Sequence, residues 1–168
     1  MSRANDQSGF TIIELMVSVG IISAMLALGV PAFRSYSRQV NFDATADSIG
    51  ALIEDARTLA LSPETTKAAA VTAYGVEFDS IQGLVMVNRY AMAVLPQRLS
   101  EVKRLTIVPP IILQSVPTQP LLFPITAAGE LVTGTGNPVT VVLRNDSLRL
   151  KKTRTLTINP ATSQVTIQ

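Results

Sequence analysis

Few residues of this 168-residue chain could take part in catalysis or bind a metal ion. The chain has no Cys and no His, which excludes a disulfide, a Cys/His zinc site, a Cys nucleophile and a Ser-His-Asp triad. Two pairs of carboxylates remain: Asp43 and Asp47 are one helical turn apart, and Glu54 precedes Asp55. Paired carboxylates can bind metals or transfer protons. Glu54 and Asp55 are neighbours on a helix and point in different directions, so we expect a solvated helix face. Near the C-terminus Asp146 is an isolated acid, and we predict no metal, no cofactor and no enzyme activity.

A second candidate is the basic segment RNDSLRLKKTR at residues 144–154, which has five basic residues and one acid. Such a cluster can contact nucleic-acid phosphates, and Arg149, Lys151, Lys152 and Arg154 would make the contacts. No aromatic residue lies within the cluster to stack on bases. The alternative is a solvated strand edge, where basic side chains discourage pairing with another sheet.

The most unusual charge is Glu14, because it is the single ionisable residue between residues 10 and 33. Residues 15–33 carry no charge over a run of 19, and Arg34 and Arg38 follow at once. A run of about 18 apolar residues is long enough to cross a bilayer as a helix. A carboxylate in such a helix costs several kcal/mol unless it is paired or reaches the interface. A carboxylate at position 14 of this apolar run therefore indicates a specific function for Glu14.

The apolar run alone leaves other interpretations open. It could be a signal-anchor, or the apolar part of a signal peptide cleaved after a small residue such as Gly29. A plain signal peptide gains nothing from Glu14, however. The preceding segment MSRANDQSG is short and polar, with Arg3 as its one fixed cation, which is typical of a leader.

Residues 9–17, GFTIIELMV, resemble the class III signal sequence of type IV pilins and type II secretion pseudopilins. The pattern combines a polar leader that ends in Gly, an aromatic residue, a Glu four residues later and an apolar span. The resemblance implies cleavage between Gly9 and Phe10 by a prepilin peptidase on the cytoplasmic side, followed by methylation of the new Phe10 amine. It also implies that the helix stays on the mature protein with a kink at Pro31, where one backbone hydrogen bond is lost.

The same resemblance implies a role for Glu14. Cleavage would leave a cationic amine on Phe10 at a helix start, and a nearby carboxylate can neutralise it. In this family the partner amine belongs to the neighbouring subunit of the filament, so Glu14 would be an assembly residue. A buried pair of this kind is weak support for stability and a plausible device for setting register.

Beyond residue 33 the pattern becomes amphipathic. Apolar residues recur at helical spacing, with charged residues mainly between them: Ile49, Leu52, Ile53, Ala56, Leu59 and Ala60. Gly50 is the one helix breaker before Ser62-Pro63. We therefore predict a helix from near Thr11 to near Leu61, about 75 Å long, whose apolar stripe packs on a sheet.

The rest of the chain alternates with the period of strands and is broken by turn residues. The predicted strands are 74–79, 84–90, 105–108, 111–113, 121–125, 139–143, 155–158 and 165–167, with Pro109-Pro110 marking an edge or a bend. The predicted fold is α+β, a pilin fold in which a long N-terminal helix packs on a C-terminal antiparallel β-sheet head. The predicted organisation is a cleaved leader at 1–9, a transmembrane and filament-core helix at 10–33, an amphipathic helix at 34–61, and a β-rich head at 62–168.

Three stretches are similar to minor pseudopilins of the H type and to minor type IV pilins. They are ARTLA at 56–60, FPITAAG at 123–129 and the closing segment 155–167. These relatives usually have Gly where Ser163 stands, so the subfamily stays open.

The function that the resemblance implies is structural, as a subunit of a type II secretion pseudopilus or a type IV pilus. It would cross the inner membrane once, with the head outside the cytoplasm, before it joins the filament. The implied partners are prepilin peptidase, other pilin or pseudopilin subunits, the inner-membrane assembly platform and membrane lipid. Two alternatives stay open: a minor pilin that binds DNA for uptake through residues 144–154, and a signal-anchored protein with an unrelated β domain.

Overall fold

The structure is a computed structural model that describes residues 10–63, 71–92, 96–127, 130–132, 136–147 and 152–168. In this described part of the chain one helix precedes eight strands: α1 Ile12–Leu61, β1 Ala73–Asp79, β2 Leu84–Met92, β3 Pro96–Thr106, β4 Ile111–Ser115, β5 Leu121–Pro124, β6 Val139–Asn145, β7 Lys152–Ile158 and β8 Val165–Ile167, with a 3-10 turn at Ile125–Ala127 after β5. The predicted α+β fold, with a long N-terminal helix and an antiparallel β head, is confirmed. The predicted leader lies outside the described residues.

The chain divides into two units, Met1–Arg38 and Gln39–Gln168. In the first unit the described part is the beginning of α1, and every residue from 10 to 36 is exposed. The second unit, which we call the head, contains the rest of α1 and the strands.

Within the head, α1 buries one stripe of side chains. The buried positions alternate at spacings of four and three residues, which keeps them on one helix face: Phe42, Ala46, Ile49, Ile53, Ala56 and Ala60. The predicted stripe from residue 49 onward is confirmed, except that Leu59 is half-buried. Phe42 and Ala46 extend it toward the N-terminus.

The strands form two antiparallel four-stranded sheets. Sheet A has the order β3-β2-β1-β5, and sheet B has the order β4-β6-β7-β8. Inward-facing residues of both sheets and the buried stripe of α1 form one continuous apolar cluster. Phe123 of sheet A and Leu143 of sheet B, both fully buried, belong to this cluster. The core of the head therefore lies between α1 and the two sheets.

The bounds of several predicted strands are wrong. β4 and β6 each end two residues later than predicted, and β7 begins at Lys152, three residues before the predicted start at 155. β3 begins at Pro96, nine residues before the predicted start at 105, and it is exposed along most of its length. Its residues do not alternate because it is an edge strand whose pairing with β2 contains two register shifts. β5 ends at Pro124, and residue 125 begins the 3-10 turn.

Gly75 is required by the close packing on sheet A. A Cβ added at this position would lie 2.7 Å from the Tyr90 ring and 2.8 Å from the Leu122 side chain. These distances are shorter than van der Waals contact, so a larger residue in the middle of β1 would displace both neighbours.

Candidate functional site

The beginning of α1 is capped by Thr11. The Thr11 hydroxyl accepts a hydrogen bond from the Glu14 backbone N–H at 3.3 Å, and the Thr11 carbonyl accepts one from Leu15 N–H at 3.1 Å. Thr-x-x-Glu is the capping-box pattern. The helix therefore begins at Ile12, and Phe10 and Thr11 lie before it. Thr11 was not predicted as a capping residue, although the Thr-x-x-Glu pattern in front of an apolar run is the sequence signal for one.

Glu14 lies in the first turn of α1, where its negative charge interacts favourably with the helix dipole by about 0.3–1 kcal/mol. The residue is exposed. Within the described part of the chain, no basic side chain forms an ion pair with it. Its backbone carbonyl accepts a hydrogen bond from the Ser18 hydroxyl at 2.8 Å. Among the described residues the carboxylate is thus exposed and without an ion-pair partner.

The first half of α1 exposes a continuous apolar surface. Phe10 is 78% exposed, and Ile12 and Leu28 are each 80% exposed. By length and composition α1 is able to cross a membrane: its most apolar 18-residue window has a mean hydropathy of 2.2, and none of that window is buried. An exposed apolar surface of this size is unfavourable in water. It is typical of a surface that contacts lipid or another protein.

Pro31 lies inside α1, and the helix continues on both sides of it. Proline has no backbone N–H, so residue 31 cannot donate to the carbonyl of Ala27. The bend proposed for this position stays a prediction. Gly9, the other side of the predicted cleavage site, lies outside the described residues.

Three of the four helix carboxylates that were considered as metal ligands are paired with basic side chains: Asp43, Glu54 and Asp55. Asp47 is exposed. Asp43 lies 2.8 Å from a guanidinium nitrogen of Arg154 on sheet B, and Asp55 lies 2.6 Å from Lys103 Nζ on sheet A. No group of three His, Cys, Asp or Glu side chains suited to a metal ion occurs among the residues with described positions. The pairs of Asp43 and Asp55 attach α1 to both sheets.

Intramolecular pairing also uses part of the basic segment. Arg144 lies 2.8 Å from Asp146, and Arg154 is paired with Asp43. Of the predicted phosphate contacts, Arg149 and Lys151 lie outside the described residues. Lys152 and Arg154 are described, and of these two Lys152 forms no ion pair with another described residue. The structure thus brings no described group of unpaired cations together here.

The segment forms the end of β6, a turn at 146–147 and the start of β7. β7 pairs with β6 from Lys152 to Ile158, whereas its pairs with β8 begin at Leu156. The first residues of β7 therefore have one neighbouring strand, and the strand is interior to sheet B further along.

The sequence reasoning also missed a polar cluster on the face of sheet A that is opposite α1. Glu77 accepts hydrogen bonds from the Tyr90 hydroxyl, from Asn88 Nδ2 at 2.9 Å and from Arg98 at 3.1 Å. Burial, together with the hydrogen bond to Glu77, raises the pKa of Tyr90 well above its usual value. Since Glu77 and its partners are 11 to 21 residues apart, no short sequence motif predicts the cluster. The cluster provides an acceptor for the Tyr90 hydroxyl and for the Asn88 side-chain N–H, which belong to buried residues. The Asn88 side-chain oxygen has no hydrogen-bond partner among the described residues.

Comparison with known proteins concerns the N-terminal segment. Residues 4–30 match the family model described as the prokaryotic N-terminal methylation motif. The chain carries a prepilin-type N-terminal methylation motif. A stretch of 33 residues is 54% identical to prepilin peptidase-dependent protein D of Escherichia coli (strain K12). That stretch is 20% of this chain and 23% of the relative, so the chain matches less than a quarter of the relative's length. No solved structure matches this chain.

These matches confirm the resemblance to the pilin and pseudopilin class. The motif includes Phe10, Glu14 and the capping residue Thr11. The head lies beyond the matched family segment, so its similarity to H-type minor pseudopilins stays a prediction.

Proposed function

We propose that this chain is a structural subunit of a filament, either a type IV pilus or a type II secretion pseudopilus. The observation that supports the proposal best is the prepilin-type motif at residues 4–30 on a helix whose first half is apolar and entirely exposed. In the inner membrane, lipid would cover this surface. In the filament, the helices of other subunits would cover it, so the span never meets water.

In this proposal, prepilin peptidase cleaves between Gly9 and Phe10, and the new Phe10 amine is methylated. The helix start supports this site. Because Thr11 caps α1 and the first helical residue is Ile12, Phe10 lies outside the helix and its side chain is 78% exposed. A peptidase can reach a peptide bond in front of a helix more easily than one inside it.

Mass spectrometry of the full chain, isolated from membranes of a host with a prepilin peptidase, tests this step. We expect a mature chain that begins at N-methylated Phe10. A Gly9→Val variant is expected to keep residues 1–9. Gly20→Ala is the matched control, because a Cβ at Gly20 has no neighbour within 4 Å, and it should be processed like the wild type. An intact Met1, or a start after Gly29, in the wild-type protein would overturn the proposal.

Glu14 acts in this proposal as an assembly residue. Its carboxylate is exposed and has no ion-pair partner in the described chain, which supports a partner on another subunit. The amine of a neighbouring Phe10 supplies the opposite charge. Pairing would remove the cost of bringing either charge into an apolar filament core.

The proposed location is the inner membrane, crossed once by the first half of α1, with the head outside the cytoplasm. The proposed partners are prepilin peptidase, other pilin or pseudopilin subunits, the inner-membrane assembly platform and lipid. Because the chain has no Cys, single cysteines on the exposed face of α1 would allow disulfide cross-linking to pilus or pseudopilus subunits. The set of subunits that cross-links would separate the two filament systems.

A further inference from the structure

Contacts between α1 and sheet B define the direction in which β7 runs relative to α1. Asp43 pairs with Arg154 near the start of β7. Seven residues later, Gly50 faces Ile167, whose Cδ1 lies 3.5 Å from the position of an added Cβ. Ile167 pairs with Leu156 further along β7. β7 therefore runs in the same direction as α1, from the end of the head that contains Gln39.

Several connections meet at this same end, which we call the Gln39 end. The β6–β7 turn begins here, and the Asp146 backbone N–H donates to the Pro110 carbonyl at 3.4 Å. Three residues before Pro110, the Ile107 N–H donates to the Gly83 carbonyl at 2.7 Å. The 107–110 connection and the β1–β2 turn therefore both lie at the Gln39 end.

The β1–β2 turn holds an isoleucine in solvent. Ile81 is 96% exposed, although the turn that carries it is well fixed. The Asp79 carboxylate accepts hydrogen bonds from the backbone N–H groups of Ile81 and Gln82, both at 2.9 Å, and Gly83 closes the turn with a φ of +64°. Beside this turn, Val108 is 66% exposed. The Gln39 end thus presents two large apolar side chains on a defined backbone.

The described charges at the same end are mixed. Asp146 pairs with Arg144, the Asp79 carboxylate accepts hydrogen bonds from the backbone of the β1–β2 turn, and one described cation has no described acidic partner. Lys152 is the first residue of β7 and pairs with Asn145 across sheet B. Among the described residues it has no acidic partner. Exposed apolar side chains and an unpaired cation at one end of a domain can bind the interface of an anionic bilayer, where apolar groups enter between lipids and a cation stays at the headgroups.

We propose that the Gln39 end of the head rests on the bilayer surface, with Ile81 and Val108 among the lipids and Lys152 at anionic headgroups. The proposal rests on the proposed function, because it needs α1 to be anchored in the membrane. The Arg38–Gln39 peptide bond joins the first unit to the head at this same end. If the first unit is anchored in the membrane, the chain itself holds the Gln39 end close to lipid. Release of this contact would then accompany entry into the filament.

Single tryptophans test the proposal, since the natural chain has none. The full-length variants are placed in phosphatidylcholine–phosphatidylglycerol vesicles whose phosphatidylcholine acyl chains are brominated and quench nearby tryptophan. Ile81→Trp is expected to be quenched. Leu99→Trp, at an exposed apolar position on β3, is the matched control and should not be quenched. Leu26→Trp, in the apolar half of α1, reports whether the chain is anchored.

Quenching at residue 81 no stronger than at residue 99, with strong quenching at residue 26, would overturn the lipid contact and leave the anchor intact. No quenching at residue 26 would instead overturn the anchoring. A residue 81 probe that is shielded from aqueous quenchers but not quenched by lipid would indicate a protein contact, which also overturns the proposal.

The charge contribution is tested in the Ile81→Trp background. Lys152→Gln is expected to weaken the contact about fivefold in anionic vesicles and to have no effect in phosphatidylcholine alone. Arg57→Gln, further along α1 from the Gln39 end, is the matched control and should leave quenching unchanged. Equal effects of the two substitutions would remove Lys152 from the contact.

Discussion

Glu14 has a local role at the start of α1, and we propose a second role for it between subunits. Inside the chain its backbone N–H donates to the Thr11 hydroxyl that caps the helix, and its side chain places a negative charge in the first turn of α1. The local contribution is about 0.3–1 kcal/mol, which is too small to explain a carboxylate at the edge of a membrane span. The larger effect is therefore expected from a partner subunit.

We predict that Glu14→Gln and Glu14→Ala abolish filament assembly while leader cleavage continues. Both variants leave a partner amine without a counter-charge in the filament core. Filaments sheared from cells and detected by immunoblot measure assembly, and mass spectrometry measures cleavage. Asp47→Asn, which removes another exposed carboxylate of α1, should assemble normally. Wild-type assembly of Glu14→Ala would refute the role.

Tyr90 gives a pH dependence at the residue scale. Burial raises its pKa, and so does its hydrogen bond to Glu77. Deprotonation is therefore easier in the unfolded chain, where the tyrosine pKa is about 10. This contribution to stability is complete below about pH 10 and is lost as pH rises from there toward the folded-state pKa. Urea unfolding of the full chain in detergent should show this alkaline loss, and Tyr90→Phe should lack it. An equal loss in both proteins would contradict the prediction.

At the scale of elements, the β7–β8 turn depends on a residue with a strained backbone. Ser163 has a φ of +54°, a conformation that costs a non-glycine residue roughly 1–2 kcal/mol. Its side chain compensates, because the buried hydroxyl accepts a hydrogen bond from Leu131 N–H at 2.9 Å. This bond connects the turn to a segment 32 residues away, and it gives a serine a reason to occupy a position suited to glycine.

We predict that Ser163→Ala destabilises the head by about 1–3 kcal/mol, because the strain stays and a buried N–H loses its acceptor. Ser163→Gly loses the same hydrogen bond but relieves the strain, so it should be more stable than Ser163→Ala by roughly 1 kcal/mol. Chemical denaturation of the three proteins measures the order. An alanine variant as stable as the wild type would show that the hydroxyl contributes nothing.

At the scale of the whole molecule, two kinds of surface share one helix. Before Arg38 the apolar side chains of α1 are exposed, and from Phe42 onward one stripe of them is buried against the sheets. Burial of apolar area is the main driving force for folding. The head therefore contains its own core, while the described part of the first unit buries none of its apolar side chains.

We predict that a fragment of residues 39–168 folds by itself and is soluble without detergent. It retains the buried stripe, both sheets and the Asp43–Arg154 pair, and it lacks the exposed apolar span. Circular dichroism should show cooperative thermal unfolding, and ultracentrifugation should show a monomer. Detergent-free aggregation of this fragment, or a gradual melt, would mean that the first unit is needed for the fold.

Most of the features that could be predicted from the sequence alone depend on short local patterns. The charge-free run after Glu14, the motif around Phe10 and the helical spacing from Ile49 are each contained in a few turns of chain. They predicted the processing motif, the long helix and the α+β class without knowledge of distant contacts. Most strands followed from alternation for the same reason, since side chains on a strand face the core or solvent in turn.

Tertiary structure decided the features that depend on residues far apart in the chain. Asp43 and Arg154 are 111 residues apart in the sequence and form an ion pair. Asp43 had been considered as a metal ligand and Arg154 as a phosphate contact. β3 owes its extent to pairing with β2 rather than to its own pattern. The Gln39 end of the head is formed by turns from both sheets. Such contacts follow from the free energy of the whole packed chain, which no short segment encodes.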